Sequence, residues 1–200
     1  MMNEATSQSQ VPDFNAVKEM WATIDFPLIC EPFPFIEKYA LELRALYSNG
    51  EVRHQAFRIP EHSTFDWYLF RKIVHESGFF EKFWKCKTLR EAFPDSLKDF
   101  NFYSQQTFEI SSPFNLGGSL GWTLACGGAY DGFKREGALA KRLGEEAAFE
   151  MLGSNYDDSA VYVSFAPWSE FFHNVAWDYT WIVINRRLSA IHVLVATDTD

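Results

Sequence analysis

The segment closest to a catalytic signature lies at residues 117–121. It fits the pattern Gly-x-Ser-x-Gly, in which hydrolases expose a nucleophilic serine, here Ser119, on a strained turn between a strand and a helix. The residues before this segment make a poor strand, whereas residues 119–126 alternate in the way typical of a strand. We therefore interpret the motif as a glycine turn that leads into a core strand.

A small hydrolase or ligand-binding protein is nevertheless an alternative, with a pocket between the helices and the sheet. Its candidate residues are Ser119, His173, Asp178 and His192. This hypothesis requires a cleft that brings two of these side chains within hydrogen-bond reach, and their dispersal over the fold would contradict it. The competing interpretation of His192, which alternates within an apolar strand, is a core histidine with one hydrogen-bond partner.

Spacings that hold metals or cofactors do not occur in this sequence. It has no Gly-x-x-x-x-Gly-Lys-Ser/Thr loop, no Gly-x-Gly-x-x-Gly after a strand and no His-Glu-x-x-His. His54 and His62 lie across a predicted loop, and their spacing does not bring three or four ligands together. Asp198 and Asp200 have the oxygen ligands that a hard cation prefers, but we interpret them as a solvated chain end. We predict no metal site, no cofactor and no catalytic residue.

Composition argues against several classes of partner. The net charge is −9 and the isoelectric point about 5.0, which disfavours binding to nucleic-acid phosphates or to anionic membranes. Cys30, Cys86 and Cys126 are far apart and odd in number, so they predict reduced thiols rather than a disulfide framework. The polar N-terminus has no secretory pattern, and no apolar run is long enough to span a bilayer. We expect a cytoplasmic protein.

Acidic residues dominate the second half of the chain. Residues 101–200 hold 12 acidic against 6 basic residues, and no Lys or Arg occurs from residue 143 to residue 185. The acidic residues of that stretch are Glu145, Glu146, Glu150, Asp157, Asp158, Glu170 and Asp178. Carboxylates without basic neighbours in the sequence predict a negative surface that steers a basic partner.

Aromatic residues fall in the same region. Phe149 lies off the apolar stripe of a predicted helix and shares its outer face with carboxylates, as a contact residue would. Residues 167–176 predict a short helix that buries Trp168 and turns His173 and Trp177 outward. The predicted partner-binding residues are therefore Glu145, Glu146, Phe149, Glu150, Asp157, Asp158, Trp168, His173 and Trp177.

These observations favour an acidic protein-binding module over an enzyme. A concrete version is a bacterial immunity or antitoxin-type inhibitor that occludes a basic protein partner, because such a protein needs a scaffold, an acidic face and aromatic anchors. A structural or regulatory module without a distinctive site is a further possibility. The oligomeric state stays open at this point.

The pattern of apolar residues predicts one α+β domain. We expect a flexible tail at residues 1–13 and a single domain at 14–200, with a helical N-terminal half packed on one face of a mainly antiparallel sheet formed by the C-terminal half. Helices are predicted at 17–24, 35–47, 63–77, 79–93 and 134–152. Strands are predicted at 105–110, 119–126, 160–165, 179–185 and 190–196, the last two forming a central hairpin.

Overall fold

The computed structural model describes residues 10–93, 97 and 108–200, and in them the fold is α+β, as predicted. The helices are α1 (Phe14–Thr23), α2 (Pro34–Arg44), α3 (Ser63–Phe70), α4 (Phe79–Lys85), α5 (Lys87–Ala92), α6 (Leu116–Cys126) and α7 (Gly137–Leu152). The strands are β1 (Glu51–Arg58), β2 (Glu109–Ser111), β3 (Ser159–Ser164), β4 (Tyr179–Asn185) and β5 (Ala190–Thr197). Most of the predicted tail, residues 1–9, lies outside the described residues, as do residues 105–107 of the predicted strand 105–110.

The five strands form one antiparallel sheet in the order β1-β5-β4-β3-β2. The β4–β5 hairpin therefore lies in the centre, as its two apolar faces predict. Every residue of β5 is buried, and Ile184 pairs with Ile191 next to the turn. Ser189 closes that turn with a φ of 51°. Alternate side chains of a strand point to opposite faces of the sheet. A strand that is buried along its whole length therefore requires cover on both faces.

Helices cover both faces of the sheet, which corrects the expectation of a single covered face. One face packs against α1, α3, α4 and α5, and we call this the first core. The other face packs against α2, α6 and α7, and we call this the second core. Strand β5 contributes side chains to both cores: Ile191 and Val193 point into the first, and Leu194 points into the second. None of the described helices has the length and apolarity needed to cross a membrane.

Strand β1 occupies a segment that was predicted to be a loop. Its register places His54 opposite Leu194 and Val52 opposite Ala196. Arg53 and Gln55 obscure the apolar–polar alternation by which a strand is recognised in a sequence. They lie on one face of β1, and only the opposite face, which is turned toward the second core, is consistently directed inward. The His54–His62 loop prediction is therefore wrong for His54, which lies within the sheet.

Helix α6 replaces the strand predicted at residues 119–126. Leu116, Leu120 and Leu124 are buried at intervals of four residues, which is a helical face. The same spacing of four also fits alternation, so Leu120 and Leu124 satisfy both patterns. Trp122 decides between them, since its side chain is 70% exposed and does not share the buried face.

Residues 167–176 form turns rather than the predicted short helix. The carboxylate of Asp178 accepts hydrogen bonds from the backbone N–H groups of His173 and Val175, at 3.3 and 3.0 Å. Asn174 between them adopts a φ of 59°, which a helix does not accommodate. Two other predicted helices are interrupted: in 63–77 the α-helix ends at Phe70 and a 3-10 turn follows at Val74–Ser77, and 79–93 divides at Cys86.

Candidate functional site: an aromatic groove beside helix α7

A groove of about 330 Å³ lies on the outer side of α7, between this helix and the start of α2. Phe35, Phe149 and Tyr156 line it, and the ring of Phe114 stacks on that of Tyr156 with centroids 4.9 Å apart. Phe114 is 73% exposed, Phe149 58% and Phe35 45%. We call these four residues the aromatic groove. Exposed aromatic side chains in contact with one another are typical of interaction surfaces.

Local sequence explains why these side chains converge. In α7, Leu143, Ala147 and Met151 turn toward the second core, so Phe149 faces outward. Gly153 ends the helix with a φ of 55°, and the chain then enters a turn at Tyr156–Asp158. The prediction that Phe149 lies on the exposed face of this helix is confirmed.

Glu150 ties the start of α2 to α7. Phe33 at the N-terminus of α2 supplies no side-chain cap, and the Glu150 carboxylate accepts the Ile36 N–H at 2.8 Å instead. Burial raises the pKa of Glu150, although hydrogen bonds from the Ile36 and Phe35 amides oppose that rise. Glu150 therefore fixes Phe35 beside the groove, and its carboxylate is occupied within the protein.

Basic residues pair with part of the predicted acidic surface. Glu145 pairs with Lys141 at 3.1 Å, one helical turn earlier on α7. Glu146 pairs with Lys38 of α2 at 3.1 Å and with Arg142 of α7 at 3.7 Å. The lack of Lys and Arg between residues 143 and 185 of the sequence therefore does not leave these two carboxylates unpaired in space. The rim of the groove is a mixed-charge surface.

Asp157 and Asp158 are neighbours with different roles. Asp158 binds both Arg186, whose backbone N–H also donates to the Asp158 carbonyl at 3.1 Å, and Arg187, at 2.7 Å. Hydrogen bonds from Arg187 and Arg186 lower the pKa of Asp158. Asp158 therefore fastens the β4–β5 turn. Asp157 is exposed, and no ion pair reaches it within the described part of the chain.

The second predicted group lies apart from the aromatic groove. Trp168 is buried in the first core, as predicted, where its Nε1 donates to Thr180 Oγ1 at 2.8 Å, and it presents no exposed surface for a partner. Trp177 is half-buried against the second core. His173 is exposed beside a depression that Glu51 and Glu170 also line. Of the first group, Glu145, Glu146 and Phe149 line one groove.

The hydrolase candidates are dispersed. The Ser119 hydroxyl accepts from Trp181 Nε1 at 3.1 Å, and the Asp178 carboxylate accepts from Thr197 Oγ1 at 2.6 Å. His192 bonds to His54, with 3.3 Å between Nδ1 and Nε2. The prediction of His192 as a core histidine with one partner is confirmed, whereas His54 as that partner was not predicted. The side chains of Ser119, Asp178 and His192 thus each bond elsewhere, and no catalytic set forms from them.

The terminal carboxylates do not form a cation site within the described residues, which contain no group of three or more His, Cys, Asp or Glu suited to a metal. Asp198 is fully buried, contrary to the expected solvated chain end, and accepts from the N–H groups of Asn49 and Ala129. Asp200 is exposed, as predicted. Asp198 thereby joins the α2–β1 turn to the loop after α6.

Comparison with known proteins finds no matching family model, no similar curated protein and no matching solved structure. The aromatic groove combines a shallow concave shape with exposed aromatic side chains and flanking carboxylates.

Proposed function

We propose that the protein is a protein-binding module and that the aromatic groove is its contact surface. The observation that carries this proposal is the convergence of exposed aromatic side chains: Phe35 and Phe149 line one groove with Tyr156, and exposed Phe114 stacks on Tyr156. Water solvates such rings poorly, and covering them with a partner removes a large apolar area from solvent. Interfaces concentrate their binding free energy in central aromatic anchors of this kind.

The flanking charges favour a basic segment as the occupant. Glu145 and Glu146 keep side-chain exposures of 52% and 30% despite their ion pairs, and Asp157 is exposed next to Tyr156. A Lys or Arg of a partner can stack on the phenylalanine rings while it bonds these carboxylates. The net charge of −9 increases the rate at which such a partner arrives.

An immunity or antitoxin-type inhibitor in the cytoplasm is the specific form of this proposal. An inhibitor of that type acts by occluding the working surface of a basic protein, so it needs a rigid scaffold and no chemistry of its own. The buried sheet, covered on both faces, supplies the scaffold. The groove is built on α7 and α2, whose mutual position Glu150 fixes, so its shape is preorganised.

A photo-cross-linking experiment tests the proposal. The photoreactive residue p-benzoylphenylalanine replaces Phe149 in one variant and Trp122 in the other, since Trp122 is at least as exposed but lies on α6 outside the groove. In the native cell, we expect one protein to be captured from position 149 and not from position 122. That protein is then purified, and its affinity is measured by calorimetry for wild type, Phe149→Ala and Trp122→Ala.

The expected result is a dissociation constant at least about tenfold higher for Phe149→Ala and unchanged for Trp122→Ala. Asp157→Lys should lower the association rate, and added salt should reduce that difference. Equal affinities for wild type and Phe149→Ala, or equal losses for both alanine variants, would contradict the proposal.

A further inference from the structure

Two stacked imidazoles lie between the sheet and the start of α2. His54 and His192 share one hydrogen bond of 3.3 Å, and their ring planes are only 16° apart. The ring of Phe33 meets both of them edge-on, with centroid distances of 5.5 Å to His54 and 4.9 Å to His192. In such a pair one imidazole donates its N–H and the other accepts through its unprotonated ring nitrogen.

Within the described residues, no carboxylate forms an ion pair or hydrogen bond with either ring. From α2 the charged group that acts on His54 is Arg44, whose Nε donates to the Val52 carbonyl at 3.0 Å. From β4 the residue paired with His192 is Val183, and within β1 and β5 the facing titratable groups are the two imidazoles themselves. Burial lowers the pKa of His192 to about 4, and burial, His192 and Arg44 lower that of His54 to about 3.

The segment that covers the pair also carries part of the aromatic groove. Residues 30–35 run along the surface, and of these Phe33 is half-buried on the histidines. Two residues later Phe35 lines the groove, where Glu150 holds the Ile36 N–H. Lifting Phe33 from the sheet therefore displaces Phe35 from the groove. Residues 30–32, 34 and 35 are exposed, so opening this segment, which also releases the buried Ile36, costs less than unfolding the sheet.

We propose that the His54–His192 pair is an acid-sensitive latch: a proton on the pair releases Phe33, opens residues 30–36 and dismantles the aromatic groove. The consequence for partner binding rests on the proposed function, whereas the opening itself does not. The direction of the pH dependence follows from the closed state, in which burial of the rings disfavours a charged imidazole. Opening is therefore favoured as the pH falls below the ordinary histidine pKa of 6.5.

The expected change in the opening equilibrium is the one that a single proton bound by His192 produces. With a pKa of about 4 when closed and 6.5 when released, the opening equilibrium rises about 30-fold between neutral pH and pH 5. The Ile36 and Glu37 amides report this opening, because Ile36 donates to Glu150 and Glu37 donates to the Phe33 carbonyl in the closed state.

Amide hydrogen exchange of the protein alone, at pH 7.5 and pH 5.0, tests the latch. Rates are corrected for the pH dependence of intrinsic exchange. We expect wild-type Ile36 and Glu37 to exchange about 30-fold faster at pH 5.0, while β4 amides stay unchanged. In the double variant His54→Gln/His192→Asn, which keeps polar atoms near the bonded positions but does not titrate, the acceleration should disappear. His173→Gln, at an exposed histidine, should behave as wild type.

Phe33→Ala provides a second test should the double variant fold poorly. It removes the cover without touching the histidines, so residues 36 and 37 should exchange rapidly at pH 7.5 already and gain little on acidification. A wild type without acid acceleration, the same acceleration in the double variant, or full acceleration in Phe33→Ala would each overturn the latch. These experiments use the protein without a partner, so their outcomes do not decide whether the aromatic groove binds one. That proposal is tested separately by the cross-linking experiment.

Discussion

Gly144 of α7 lies directly against Gly121 of α6, so closely that a Cβ atom on Gly144 would overlap the Gly121 backbone nitrogen and the Gly117 carbonyl oxygen. The two helices pack backbone to backbone along this line. Gly137, Ala140, Gly144 and Ala148 recur along α7, and such small residues allow a neighbouring helix to approach closely. This contact sets the position of α7 and thereby of Phe149.

Replacing Gly144 by alanine is expected to destabilise the protein by about 1–3 kcal/mol, because the added methyl group forces α6 and α7 apart. Gly118→Ala is the matched control on α6, where a Cβ atom meets nothing within 4 Å. That change should stabilise the protein by about 0.5–1 kcal/mol, since alanine favours a helix. Urea unfolding followed by circular dichroism measures both. Effects of the same sign would refute the close-packing argument.

The fold could be predicted where local pattern and burial agree. The β4–β5 hairpin has two apolar faces, and this was enough to place it in the centre of the sheet. Strand β1 was missed because a strand at the edge of the sheet tolerates polar residues such as Arg53 and Gln55. Helix α6 was missed because Leu120 and Leu124 fit both periods, and only the exposure of Trp122, a tertiary fact, separates them.

The site could be predicted only in part, for a similar reason. The helical period alone places Phe149 on the outer face of α7, and the structure agrees. Phe35 and Phe114 reach the groove through long-range packing, which no local pattern records. The ion pairs of Glu146 with Lys38, and of Asp158 with the β4–β5 turn, join residues far apart in sequence. A run of acidic residues in the sequence therefore overstates how much negative charge is exposed on the surface.

Asp157 and Asp158 offer a test of that last point. Asp158→Lys should lower stability by about 1–2 kcal/mol, because it replaces the carboxylate that binds Arg186 and Arg187 with a third cation. Asp157→Lys should leave stability within about 0.5 kcal/mol, since this side chain is exposed. Thermal unfolding at low and high salt measures both, and salt should reduce the loss in Asp158→Lys. Equal losses in the two variants would contradict the distinction.

Asp198 is expected to be a structural carboxylate rather than a cation ligand. Asp198→Ala removes a buried carboxylate and leaves the part-buried N–H groups of Asn49 and Ala129 without their acceptor, and we expect a loss of about 1–3 kcal/mol. Asp200→Ala, at an exposed position, should have no measurable effect. Unfolding midpoints with and without millimolar Mg²⁺ or Ca²⁺ complete the test. A midpoint that rises with either ion, and only when Asp198 is present, would show cation binding instead.

The thiol of Cys86 should be slow to react. Burial and the nearby Asp25 raise its pKa to about 11 from the usual 9.0, and Sγ lies 3.3 Å from the Lys82 carbonyl. Because the thiolate is the nucleophile, alkylation by iodoacetamide at pH 8 should be about 100-fold slower than for a cysteine in an unstructured peptide. The rate should rise about tenfold per pH unit until the pH approaches this pKa.

Mass spectrometry of each cysteine-containing peptide follows Cys86 separately from the exposed Cys30 and Cys126. Asp25→Asn removes the neighbouring negative charge and should accelerate alkylation of Cys86, because the thiolate then forms more readily. The control is Asp13→Asn, which changes an exposed carboxylate at the start of α1 and should leave the rate unaltered. A Cys86 rate equal to that of the peptide, or unaffected by Asp25→Asn, would show that burial and Asp25 do not govern this thiol.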